Sequence, residues 1–91
     1  MNPLEGVVMY SGEQCAYCMR ARHLLEKKGV AFREIKVDQS AELRAQMEQL
    51  SQRRTIPQIF IHGRHIGGFD DLAALDSAGE LDSLLSNTGR V

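Results

Sequence analysis

The segment Val7-Val8-Met9-Tyr10-Ser11-Gly12-Glu13-Gln14-Cys15-Ala16-Tyr17-Cys18 runs from an apolar stretch, through a short polar turn, into two cysteines three positions apart. These are the only cysteines in the chain. A helical pattern follows, ending near Lys28 and punctuated by Gly29, a good residue just past a helix end. A buried strand over Gly6–Tyr10, a short loop and a dithiol opening a helix over Cys15–Lys28 point to sulfur redox chemistry.

The spacing has a physical basis. Cysteines three apart at a helix start share one side of the first turn and are close enough to close a small disulfide ring. Cys15 falls at or near the N-cap, where free backbone N–H groups and the positive end of the helix dipole favour a thiolate. Cys18 lies one turn further in, where side chains are more buried, which suits a resolving thiol. Two other uses of the pair stand beside this one. A structural zinc site needs four ligands, and His62-Gly63-Arg64-His65 resembles a ligand pair, with His23 as a third candidate. Gly63-Arg64 reads better as a hairpin turn with solvated flanks. A permanent structural disulfide gains little, because so small a loop has little closure entropy to remove.

Ninety-one residues with 43% hydrophobic content support one modest core, so a single domain is expected over 1–91, with its core at about 7–85. A net charge of −1 gives no general attraction to nucleic acid or membrane. The N-terminal Met1-Asn2-Pro3-Leu4-Glu5 lacks a basic, then apolar, export signal, and no run approaches a membrane span. Cytoplasmic localisation follows as the expectation.

Further along, Ala31–Val37 alternates apolar and polar residues as a second strand. Asp38-Gln39-Ser40 offers caps for a helix with Leu43, Met47 and Leu50 on one face. Gln58–Ile61 is a third strand, joined through His62-Gly63-Arg64 to a short fourth around His65-Ile66, which Gly67-Gly68 breaks. Leu72, Leu75, Leu81, Leu84 and Leu85 mark one or two closing helices, and Asn87–Val91 reads as a frayed tail. The order β-α-β-α-β-β-α places a parallel β-α-β unit before an antiparallel hairpin.

Three motifs in this order and spacing resemble the glutaredoxin family, especially its small bacterial dithiol members. They are Cys15-Ala16-Tyr17-Cys18, Thr55-Ile56-Pro57 before a strand, and Gly67-Gly68-Phe69-Asp70-Asp71. The similarity runs from about Val7 to Leu85. It implies an α/β, thioredoxin-like fold with a four-stranded mixed sheet flanked by helices. It also implies glutathione as reductant, and glutathionylated or disulfide-containing proteins as partners of a monomer. By the same resemblance Thr55, Ile56 and Pro57 form a cis-proline loop on which the peptide pairs like an added strand. Gly68, Phe69, Asp70 and Asp71 form a helix start that receives the γ-glutamyl end, with Asp70 on the ligand and Asp71 partly structural. Arg44 occupies the place of a residue that holds the glycine carboxylate, and Tyr17 that of the aromatic flanking the sulfurs.

The departures are informative. Gly12 stands where many members carry a lysine, Ala16 where dithiol members usually have proline, and Phe69 where many have a further cysteine. A small residue at position 16 opens a second function: a [2Fe–2S] cluster bridging a dimer, ligated by Cys15 of each chain and two glutathione thiols. Apart from Cys15 in that case, no metal ligand is expected.

Overall fold

A computed structural model describes residues 5–86 of the chain. Its elements are β1 (Val7–Ser11), α1 (Ala16–Lys27), β2 (Arg33–Lys36), α2 (Ala41–Ser51), β3 (Gln58–Ile61), β4 (Arg64–Gly67), α3 (Phe69–Ser77) and α4 (Leu81–Ser86). The tail at 87–91 and residues 1–4 lie outside the described residues.

The strands form one mixed sheet in the order β2-β1-β3-β4, with β1 parallel to β2 and antiparallel to β3, and β3 antiparallel to β4. The two-residue period of the central strands divides the core into two layers. Val7, Met9, Ile59 and Ile61 face Ala21 and Leu25 of α1, Leu72 of α3, and Leu81 and Leu85 of α4. Val8, Tyr10 and Phe60 face the other way, against Val37 just beyond β2 and Met47 of α2. Helices thus cover both faces of the sheet, as expected for a thioredoxin-like fold.

Caps set the helix ends. Ser40 Oγ accepts the Leu43 N–H at 3.1 Å, starting α2 at the expected place. Gly29, at φ 74°, follows the Lys28 C-cap, and Lys28 then ties α1 to the closing helices through Asp76 (2.6 Å) and Asp82 (3.0 Å). Several expectations shift. The second strand is shorter than 31–37 because it is an edge strand with Arg33 and Lys36 exposed, and only Val37 beyond it is fully buried. Leu50 is exposed; Met47 and Ser51, not Leu50, carry the buried face of α2's last turns. The hairpin turn is His62-Gly63, both at positive φ (55° and 82°), one residue earlier than expected, which puts Arg64 in β4. Among the described residues no helix is long and apolar enough to cross a membrane.

Candidate active site

The end of β1 delivers the chain into the loop Gly12–Gln14, which is clamped from the β2 side. Asp38 accepts the Glu13 N–H at 2.7 Å, and Lys36 pairs with the Glu13 carboxylate at 2.9 Å. Gly12 is buried; a Cβ there would meet Ile56 Cδ1 at 2.9 Å and Asp38 Cγ at 3.3 Å. A side chain at position 12, where the family pattern suggests lysine, would have to push aside the tip of Ile56.

Cys15 follows as the N-cap of α1, with its sulfur accepting the Cys18 N–H at 3.1 Å. That bond fills one of the orphan donors of the first turn and brings positive backbone charge to the sulfur. Cys15 and Cys18 are joined as a disulfide. Cys15 is half-buried beside exposed Ala16 and Tyr17, whereas Cys18 has no solvent exposure at all.

Tyr17 opens a cleft of about 360 Å³ whose far wall is Thr55, Ile56 and Pro57, the Ile56–Pro57 peptide being cis as expected. Gly68, Phe69, Asp70 and Asp71 close it at the start of α3. The structure therefore brings together every expected contact residue except Arg44. The Arg44 guanidinium donates to the Arg54 carbonyl at 3.1 Å and lies outside the lining, where Arg53 stands instead. Tyr17 is steadied by the Phe69 ring (centroids 6.4 Å apart) and by Arg20, 5.3 Å over its face.

Electrostatics differ between the two aspartates. Asp71 Oδ2 accepts the Gly68 N–H at 2.9 Å and the Arg53 Nη1–H at 3.1 Å. The Gly68 bond first, then Arg53, holds the Asp71 carboxyl below its ordinary range against the opposing effect of burial. Asp70 is exposed on the cleft. With the Gly68 N–H occupied, the first-turn N–H groups of Phe69, Asp70 and Asp71 are those that lack intrahelical acceptors.

Arg20 and Arg22, both near the dithiol in sequence, are engaged elsewhere: Arg20 with Tyr17 and Arg22 with Glu34. No group of three or more His, Cys, Asp or Glu side chains among the described residues is placed to hold a metal. His65, expected as a solvated hairpin flank, is half-buried against Phe60 and bonded to Gln58. Arg53 carried no periodic or motif signal; its role at the cleft follows from the turn after α2.

The glutaredoxin family model matches residues 7–66. This chain belongs to the glutaredoxin family. It is 51% identical over 82 residues to glutaredoxin 3 of Escherichia coli K12, covering 90% of this chain and 99% of that protein. It is also 51% identical over 80 residues to a glutaredoxin of Pseudomonas aeruginosa PAO1, covering 88% and 95% of the two chains. Among solved structures, the Brucella melitensis glutaredoxin superposes with a TM-score of 0.81 at 48% identity, over 99% of this chain and 97% of that one. The buckwheat glutaredoxin–glutathione complex superposes with a TM-score of 0.84 at 32% identity, over 93% and 80%. With its cysteine pair intact, this glutaredoxin is a glutathione-dependent thiol–disulfide oxidoreductase.

Proposed function

We propose that Cys15 is the nucleophile, Cys18 the resolving thiol, and the cleft beside them the seat of glutathione. The observation that carries this reading is the contrast in exposure: Cys15 is only half-buried at a helix N-terminus, and Cys18 is sealed. A sealed thiol meets no incoming disulfide but meets its neighbour.

In the reduced enzyme the Cys15 thiolate attacks the glutathione sulfur of a mixed disulfide. The old S–S bond breaks, the substrate leaves as a thiolate that takes a proton from water, and Cys15 is left joined to glutathione. A second glutathione thiolate then attacks that sulfur, releasing oxidised glutathione and regenerating the Cys15 thiolate. With a protein disulfide, Cys15 forms the mixed disulfide and Cys18 displaces the substrate, closing the Cys15–Cys18 bond for glutathione to reopen. The bound peptide lies along Thr55-Ile56-Pro57, its γ-glutamyl carboxylate on the α3 N-terminus beside Arg53 and its ammonium on Asp70. Arg44 takes the glycine carboxylate by releasing the Arg54 carbonyl, a single exposed hydrogen bond. The enzyme acts as a monomer on glutathionylated or disulfide-bonded proteins, in the reducing setting of the cytoplasm.

Glutathione-dependent reduction of a glutathionylated peptide, coupled to NADPH through glutathione reductase, tests this reading. Wild type turns over, Cys15→Ser is dead and Cys18→Ser keeps activity; an active Cys15→Ser variant would overturn the roles. The second reading, a [2Fe–2S] cluster shared between two chains, draws on the exposed Ala16 at the helix start. With one accessible thiol per chain, its ligands would come from Cys15 of both chains and two glutathiones. A brown, visibly absorbing dimer after anaerobic reconstitution with glutathione supports it, and a colourless monomer removes it.

A further inference from the structure

Behind the cis-proline loop lies a polar pair that the redox chemistry leaves unused. Gln58, the first residue of β3, has no solvent exposure. Its Nε2 donates to the Thr55 carbonyl at 3.0 Å and to Thr55 Oγ1 at 3.3 Å. Its Oε1 lies 2.7 Å from His65 Nε2 on β4. The carbonyl of Thr55 can only accept, so the amide group must face it and the Gln58 oxygen must face His65. Nε2 of His65 therefore carries the hydrogen. The imidazole is in turn fixed by the Phe60 ring, 5.0 Å away between centroids.

We propose that Gln58 and His65 are positioning residues that hold the Thr55–Ile56–Pro57 loop in its glutathione-binding shape. The inference rests on the reading of that loop as the glutathione seat. Thr55 and Ile56 are cleft-lining residues on an irregular segment between α2 and β3, which has no ladder of its own and takes part of its rigidity from such side-chain bonds. Gln58 reaches back three residues to pin Thr55, and His65 stops the Gln58 side chain from turning away. The charged groups acting on His65 are Arg53 from the loop and Asp71 from α3. Burial first, then Arg53, lowers the imidazole's pKa against Asp71, keeping it a neutral Nε2–H donor at neutral pH.

His65→Phe keeps the ring against Phe60 and deletes the donor; His65→Gln restores a donor at similar reach. The expected result for His65→Phe is a KM for glutathionylated peptide raised roughly three- to tenfold, the worth of one hydrogen bond, with kcat little changed. His65→Gln recovers most of the loss. Binding of S-methylglutathione, an unreactive probe, is followed in parallel through the Thr55 and Ile56 amide resonances. If the probe shifts those amides in wild type and binds His65→Phe equally well, the positioning role is wrong. A parallel fall of kcat in both His65 variants with unchanged KM overturns it too. If the probe leaves the two amides unmoved in wild type, the glutathione seat itself is misplaced and this inference falls with it.

Discussion

Arg22 on α1 grips Glu34 on β2 at two points, Nε to Oε1 at 3.0 Å and Nη2 to Oε2 at 2.5 Å, while Ser11 Oγ donates to the same carboxylate at 2.6 Å. Three elements meet there: the strand that ends at the active-site loop, the helix that carries the dithiol, and the edge strand beside them. Both charged side chains are only about a quarter exposed (26% and 20%), so the pair is screened less than a surface ion pair.

The first prediction concerns acid stability. The Arg22 hydrogen bonds above all, then the Ser11 bond, lower the Glu34 pKa from its ordinary 4.5 against burial. A depressed carboxylate pKa gives stability that is complete above the unfolded value and lost as pH falls through the folded one. Glu34→Gln should therefore cost about 1–3 kcal/mol at pH 7, the scale of a charged hydrogen bond. The gap to wild type should shrink below about pH 4. Urea unfolding at pH 7 and pH 3 measures it; an equal gap at both values would show that the charge is not what matters.

The second concerns Gly67, which is at φ 120° with the Asp71 side chain folded over it. A Cβ there would meet Asp71 Cγ at 2.7 Å and lie even closer to Oδ2. Gly67→Ala thus combines an unfavourable backbone conformation with displacement of the carboxylate that ties Gly68 and Arg53. A loss of about 1–3 kcal/mol is expected, together with a raised KM for glutathionylated substrate. Unfolding and steady-state kinetics on one variant test both.

The third concerns Gly12. A lysine there brings a cation to the loop before Cys15, where Asp38 and Glu13 now supply carboxylates. Ile56 Cδ1 is the tip of a flexible side chain and can yield to the new Cβ. Gly12→Lys should move the midpoint of Cys15 alkylation in the reduced enzyme to lower pH, with Gly12→Ala as the steric control. If both variants shift alike, packing against Ile56 and not charge sets the reactivity.

Much of this was legible in the sequence, and the parts that were not share a cause. The strand–loop–dithiol–helix start carries its own local signals: apolar run, turn residues, N-cap cysteine and C-terminal glycine. The Thr55–Pro57 loop and the Asp70-Asp71 helix start were legible through their motifs. Arg53, Gln58 and His65 were not, because their roles arise where α2's exit, β3 and β4 converge, and no periodicity records such a meeting. Ser51 shows the same thing: it is buried, lying 2.7 Å from the Met47 carbonyl and accepting the Arg53 N–H at 3.1 Å, and so shapes the turn that presents Arg53. Leu50 erred oppositely, since the apolar face it was expected to complete is satisfied by Met47.

The last prediction separates the two aspartates at the start of α3. Asp71 is committed to Gly68 and Arg53, with a lowered pKa that records both bonds, whereas Asp70 is exposed on the cleft. Asp70→Asn removes an exposed charge that, in the proposed glutathione seat, faces the ligand. Its KM for glutathionylated peptide should rise about fivefold or more, an interaction of roughly 1 kcal/mol, with thermal stability little changed, since an exposed first-turn charge has only a screened interaction with the helix dipole. Asp71→Asn should raise KM and also lower stability by about 1 kcal/mol, because the Gly68 N–H and Arg53 lose their charged acceptor. The Asp71 stability contribution is present above the ordinary aspartate pKa of 3.8 and fades as pH drops below it, so the Asp71→Asn deficit should vanish in acid. Melting curves at pH 7 and pH 3, paired with kinetics at pH 7, distinguish a ligand-facing carboxylate from a helix-capping one. Identical behaviour of the two variants would mean that the ammonium end of glutathione is shared between them.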